Sequence, residues 1–182
     1  MLIDESALNQ IIKSLPETND IDLIKMTYEQ PVLLVFLRHF GCTFCREALS
    51  DISNIHHQIL EIGAKVVFVH MVNKETADTH LSSFKFGNNP HFGDPEKQLY
   101  RFFGLQKGRL GQLYSLSVMM RGFKAGVIDG HGHAFKAIGD TDQMPGLFML
   151  DKGSITRSYV YRLSSDRPDY LEFIEFALLS NE

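Results

Sequence analysis

Apolar positions along the chain follow two rhythms that alternate. Leu8, Ile11, Ile12 and Leu15 recur at steps of three and four and predict an amphipathic helix over Glu5–Leu15, which Pro16 closes. Residues 18–25 read as a short strand or an irregular lead-in. Pro31-Val-Leu-Leu-Val-Phe-Leu37 is apolar without alternation. Such a run predicts a central strand buried on both faces, with Pro31 tolerated at its first position. A short turn, Arg38-His-Phe-Gly41, leads into Cys42-Thr-Phe-Cys45. Helical spacing then returns at Ala48, Leu49, Ile52, Ile55, Ile59 and Ile62, and Gly63 ends the helix as a C-terminal cap. Ala64–Met71 reads as a second buried strand. A strand–helix–strand order of this length implies a right-handed crossover and parallel pairing. The two cysteines therefore lie where a central strand turns into a long helix.

Farther on, Glu75–Phe84 reads as a weaker helix, and Asp94-Pro95 as a helix start with Asp as N-cap and Leu99, Phe102 and Phe103 on the apolar side. The character changes at 104–140. Eight of the 14 glycines fall between 104 and 139, and Leu110, Leu113, Leu116, Met120 and Phe123 predict one helix among glycine-rich loops. Between 101 and 136 six basic residues face one acid, so that stretch is net +5 and the rest of the chain −9. Residues 104–140 thus read as a basic helical insertion, which steers an acidic thiol partner or forms a solvated face. Its methionine-bearing helix is expected over the active site or in a dimer interface. Pro145–Asp151, the turn at Lys152-Gly153 and Ser154–Tyr161 form a hairpin. Asp166 to Pro168 opens a last helix carrying Leu171, Ile174 and Leu178. The order is that of an α/β chain with one domain over 1–182.

Composition narrows the function. A net charge of −4 argues against a nucleic-acid binder that works by phosphate neutralisation. The longest apolar runs fall short of the roughly 20 residues that span a bilayer. The opening residues MLIDESALNQ carry two acids and no base, which fits neither a secretory nor a transit signal, so a cytoplasmic location is expected. Cys42 and Cys45 are the chain's two cysteines, so no framework of structural disulfides exists.

Cys-x-x-Cys at a strand-to-helix turn is the strongest chemical signal. The first helical turn leaves N–H groups unpaired and carries partial positive charge, which stabilises a thiolate. In such motifs the thiol pKa falls from about 8.5 to about 3.5–7.5. The thiolate attacks a disulfide or a peroxide, and the second thiol, one turn away, resolves the adduct. Cys42, at the expected exposed helix start, is the nucleophile; Cys45, half buried one turn inside, is the resolving thiol. Arg38, His39 and Arg46 are nearby cationic or protonatable groups that lower the pKa further, unless His39 is a plain turn residue. No cofactor and no metal is called for. Two other readings stay open at this point. One is half a zinc site completed by His131 and His133 of Gly130-His-Gly-His133, or more broadly a non-enzymatic, metal-regulated binding module. The other is a pair of inert buried cysteines.

The order of strand, CxxC, helix, strand, helix, Pro-Gly-Leu-Phe-Met-Leu-Asp and hairpin resembles the thioredoxin fold. The closer resemblance is to the peroxiredoxin-like branch of the alkyl hydroperoxide reductase/thiol-specific antioxidant superfamily. It is carried by Val35–Leu49, Asp94–Leu105 and Gly139–Asp151. The resemblance implies a central mixed sheet flanked by helices, with the helical insertion placed before a proline strand. It also implies a cis Met144–Pro145 bond facing the CxxC, whose backbone edge receives a thiol or disulfide substrate. Peroxiredoxins carry Pro-x-x-x-Thr-x-x-Cys; set on Cys45, the chain has Arg38 for that proline and Cys42 for that threonine. Disulfide exchange is therefore the first reading. The alternative is a thiol-dependent, antioxidant peroxidase acting on a hydroperoxide through Cys45 or Cys42. The expected partners are protein or low-molecular-weight thiols and disulfides, with a homodimer left open.

Overall fold

A computed structural model of the protein describes residues 1–16, 21–128 and 141–179. Its centre is a five-stranded mixed sheet in the order β3-β2-β1-β4-β5. The strands are β1 (Val32–Phe36), β2 (Lys65–His70), β3 (His91–Gly93), β4 (Gly146–Asp151) and β5 (Ser154–Val160). β1, β2 and β3 run parallel, whereas β4 runs antiparallel to β1 and β5 antiparallel to β4. This is the mixed sheet flanked by helices that the resemblance implied.

β1 has no exposed face, as its unbroken apolar run predicts. Leu33 and Val35 enter one core with Leu49, Ile52 and Ile59 of α3 (Thr43–Glu61), and with Phe173 and Ile174 of α8 (Tyr170–Leu179). Val32, Leu34 and Phe36 enter a second core on the opposite face. That layer is built by α1 (Glu5–Ser14), α2 (Leu23–Glu29) and α5 (Gln98–Phe102). Alternate side chains of one strand thus anchor two helical layers, which fixes the C-terminal end of β1 where the cysteines follow.

Several local expectations are corrected. Part of the 18–25 lead-in is helical: Asp22 accepts a hydrogen bond from the Lys25 amide and starts α2. Asp94 does cap α5, but from a distance. A turn with Lys97 in the left-handed region (φ 57°) intervenes, and the Asp94 carboxylate reaches over it to the amides of Gln98, Leu99 and Tyr100. The single helix read over 110–123 is two helices, α6 (Leu110–Tyr114) and α7 (Leu116–Phe123), followed by a π-helical turn at Lys124–Ile128. Ser115 divides them because its extended backbone (ψ 159°) ends one helix while its hydroxyl caps the next at Val118. β3 had no counterpart in the sequence reading. The weaker helix is α4 (Lys74–Ser83), capped by Asn73. His131 and His133, and the end of the 104–140 insertion, lie outside the described residues.

Candidate active site

The site begins where β1 ends. Leu37 continues the strand by donating its amide to Val69 at 2.9 Å, and a tight turn follows in which the Cys42 amide donates to the His39 carbonyl at 3.0 Å. Cys42 has extended backbone and is the N-cap of α3; Cys45 sits three residues inside. The helix starts there because Cys42 already accepts, at its carbonyl, the Arg46 amide at 3.0 Å.

Both cysteines are free thiols, and both are buried, at 6% and 4% exposure. The expected exposure of Cys42 is thereby corrected, as is the half-burial of Cys45. Their protonation diverges. Cys42 is pulled down to about 6, first by the hydrogen bond it receives from the Cys45 thiol, against a burial effect that opposes ionisation. The Arg38 guanidinium, with Nη1 3.7 Å from the Cys42 sulfur, favours the thiolate further. So do the amides of Cys45 and Phe44, although no cap hydrogen bond of ordinary geometry forms. Cys45 is pushed well up, by donating its proton to Cys42, by burial and by the neighbouring charge. One thiol therefore holds the proton and its neighbour holds the charge.

Arg38 is itself buried, and its Nε donates to the Thr141 carbonyl at 2.7 Å, which aims the guanidinium. His39 contributes backbone to the turn and, through it, a small preference for the Cys45 thiolate. Arg46 places its guanidinium over the Phe84 ring (5.8 Å to the centroid) and its charge lowers the His80 pKa.

Pro145 lines, with Arg38, Phe44, Cys45, Tyr161 and Ser164, a small apolar cavity beside Cys45. The Met144–Pro145 bond is trans, which corrects the expected cis bond. Trans is the lower-energy isomer of an X–Pro bond. Around it, the Met144 amide donates to Gln106 and the Met144 carbonyl accepts from Gln143 Nε2. Met144 is buried against Gly108, where an added Cβ would stand 2.7 Å from its sulfur, so it supports the proline without facing the cavity.

Tyr161 and Ser164 are site residues that sequence reading missed. Tyr161 closes the hairpin, and its hydroxyl stands 3.1 Å from that of Tyr170 on α8. Burial pushes both phenols up, and the neighbourhood of Cys45 adds to it. No local pattern marks them, because only tertiary packing brings 161–170 to residue 45. Among the described residues no cluster of three metal-ligating side chains forms. No helix among them is long and apolar enough to cross a membrane.

No known family profile matches the chain. Over 138 residues it is 27% identical to mouse (Mus musculus) peroxiredoxin-like 2C, a match covering 69% of this chain and 58% of that protein. It is 29% identical over 90 residues to the prostamide/prostaglandin F synthase of Salmo salar, covering 48% of this chain and 42% of that one. The match thus spans little more than half of the peroxiredoxin-like relatives. Among solved structures, the fold is similar to peroxidoxin BcpB of Mycobacterium tuberculosis (TM-score 0.59, 15% identity, 91% of this chain and 88% of that one). It is likewise similar to Xanthomonas campestris peroxiredoxin Q (TM-score 0.59, 14% identity, 87% and 83%). The chain is thus similar in sequence to peroxiredoxin-like proteins and shares the thioredoxin-like fold of the peroxiredoxins.

Proposed function

We propose that the protein is a thiol–disulfide oxidoreductase that cycles Cys42 and Cys45 between dithiol and disulfide. The observation that carries this reading is the proton held by Cys45 and aimed at Cys42, beside Arg38. At neutral pH most of Cys42 is thiolate. It attacks one sulfur of a substrate disulfide; the new sulfur–sulfur bond forms as the old one breaks, and the other substrate sulfur leaves with the electron pair as a thiolate. Once Cys42 is neutral in the mixed disulfide, the charge and hydrogen bond that kept Cys45 protonated are gone. Cys45 then loses its proton, attacks Cys42 and releases the second substrate thiolate. The substrate gains two electrons and the protein loses two, leaving a Cys42–Cys45 disulfide that an external thiol of the glutathione or thioredoxin class reduces. The cytoplasm, where such pools keep thiols reduced, suits the cycle. Cys45→Ser tests it: mixed disulfides should accumulate on Cys42 and be identified by peptide mass spectrometry. No adduct on Cys42 in the folded variant would remove the reading.

A second reading is supported by the cavity, which opens on Cys45 and not on Cys42, and by the peroxiredoxin likeness of the fold. In it, a Cys45 thiolate attacks the outer oxygen of a hydroperoxide, an alcohol or water leaves, and the resulting sulfenic acid condenses with Cys42, releasing water. This antioxidant reaction asks the less acidic of the two thiols to ionise first, so disulfide exchange remains the preferred reading.

A further inference from the structure

α3 carries a burial pattern that its core contacts do not explain. Cys45, Leu49, Ile52 and Ile59 form the stripe that faces the sheet. Thr43 and Glu47 sit one turn apart on the opposite side of the helix at 100° per residue, where solvent is expected. Yet Thr43 is 6% exposed and Glu47 only 2%. The N-terminal half of α3 is therefore roofed, by α7 together with the π-helical turn that follows it. Arg121 of α7 places Nη2 2.6 Å from Glu47 Oε2 and its guanidinium 6.0 Å from the centre of the Phe44 ring, between the cysteines. Gly122 follows so closely that a Cβ there would lie 3.4 Å from Phe44 Cζ. Phe44 in turn walls the Cys45 cavity. Glu47 has a weaker second partner in Arg167, 3.4 Å away, which itself grips Asp51 with two contacts of 2.7 Å.

We infer that the Arg121–Glu47 pair is a latch that sets the size of substrate reaching Cys42 and Cys45. Latched, α7 presses on Phe44 and leaves both sulfurs buried, within reach of small oxidants and thiols but not of a disulfide held in a folded protein. Unlatched, α7 moves off Phe44 and the CxxC turn accepts a bulky partner. Arg121 is a positioning residue, because it touches neither sulfur and acts through Phe44. The buried carboxylate makes the latch decisive: Glu47 stripped of Arg121 keeps a single, longer ion pair in a nearly water-free place, which favours the open arrangement. The inference rests on the proposed role of the cysteine pair only for its substrates; the latch itself is read from thiol access.

The test compares two alkylating probes on the reduced protein, iodoacetamide and a maleimide carrying a long polyethylene glycol chain, with Cys42 modification followed by mass spectrometry. Arg121→Ala should speed the bulky probe by about tenfold or more while the small probe changes by less than about twofold. Arg121→Lys should restore much of the discrimination, and Arg167→Ala should leave it as in the native chain. Should Arg121→Ala fail to fold, Glu47→Gln removes the same charge pair at near-constant volume and carries the same expectation. An unchanged ratio of the two rates in a folded Arg121→Ala or Glu47→Gln variant overturns the latch, as does an equal effect from Arg167→Ala. In turnover, Arg121→Ala should lower KM for insulin disulfides and leave kcat and the KM for a small aliphatic disulfide unchanged. A changed probe ratio without disulfide turnover by any variant would sink the proposed function and leave the latch standing.

Discussion

Replacing Arg38 by Met removes a charge while keeping an unbranched chain of similar reach, and its effect can be worked from one distance. The guanidinium Nη1 lies 3.7 Å from the Cys42 sulfur, and both residues are buried. At an effective dielectric of about 20, two unit charges about 4 Å apart attract by about 4 kcal/mol, equivalent to about three pH units of acidity. That is an upper bound, because the same guanidinium also serves the Thr141 carbonyl and because the Cys45 hydrogen bond is the larger cause of Cys42's acidity. An opposite charge at this range ordinarily moves a midpoint by about one to three pH units. The expected result is that the pH midpoint of Cys42 alkylation, at about 6 in the native chain, moves up by about two pH units. A shift of that size cuts the thiolate fraction at pH 7 from about nine-tenths to about one-tenth. Arg38→Lys should recover most of the acidity through its charge. The assay is the rate of iodoacetamide alkylation of Cys42 in the Cys45→Ser background and in the native chain, across pH 4.5 to 9, with circular dichroism to confirm the fold. A midpoint unmoved within about 0.3 pH units in folded Arg38→Met would refute the electrostatic role given to Arg38.

The buried histidine pair behind the site predicts a loss of stability in mild acid. His70 donates or accepts at 2.8 Å with His91, which contacts Asp78 at 2.9 Å, and burial first, then the neighbouring His91, hold His70 down at about 3. The unfolded chain takes up this proton near pH 6.5 and the folded chain only near pH 3, so stability is lost as pH falls through that window. From pH 6.5 to pH 4 the loss is about 3 kcal/mol, read by urea unfolding. His70→Gln should flatten that dependence, and an equally steep loss in the variant would contradict the assignment. For the peroxidase reading, reduced protein should consume hydrogen peroxide with glutathione or thioredoxin as reductant and lose that activity in Cys45→Ser. No turnover with either reductant removes it.

The parts of this architecture that were legible from sequence are those written in continuous local patterns. The apolar run Pro31–Leu37 could only be a strand covered on both faces, and the helical period from Ala48 to Ile62 placed the cysteines at a strand-to-helix junction. β3 was not legible because it is three residues long and brings Phe92 as its only large apolar side chain, too little for any period. The break at Ser115 was hidden because apolar spacing runs straight through it, while a single serine cap decides the chain's course. The burial of Cys42 and of Glu47 was hidden for a deeper reason. Glu47 lies where a helical wheel assigns solvent, and Arg121 of α7 and Arg167, more than 70 residues farther along the chain, cover it; Cys42 is covered with the help of Arg38, whose guanidinium reaches its sulfur. Tyr161 reads from sequence as a hairpin terminus, and the cavity beside Cys45 gives it another place. The proline before β4 lines the cavity beside Cys45, and its isomer follows the ordinary trans preference.

The central claim is that Cys42 and Cys45 form one redox couple, and equilibrium in glutathione buffers of graded oxidation state tests it most directly. The expected result is reversible, two-electron formation of an intramolecular Cys42–Cys45 disulfide, mapped by peptide mass spectrometry, with a midpoint in the range of about −270 to −120 mV spanned by thioredoxin-fold oxidoreductases. Cysteines that stay reduced across the whole series, or that form only separate glutathione adducts without ever joining, would contradict it.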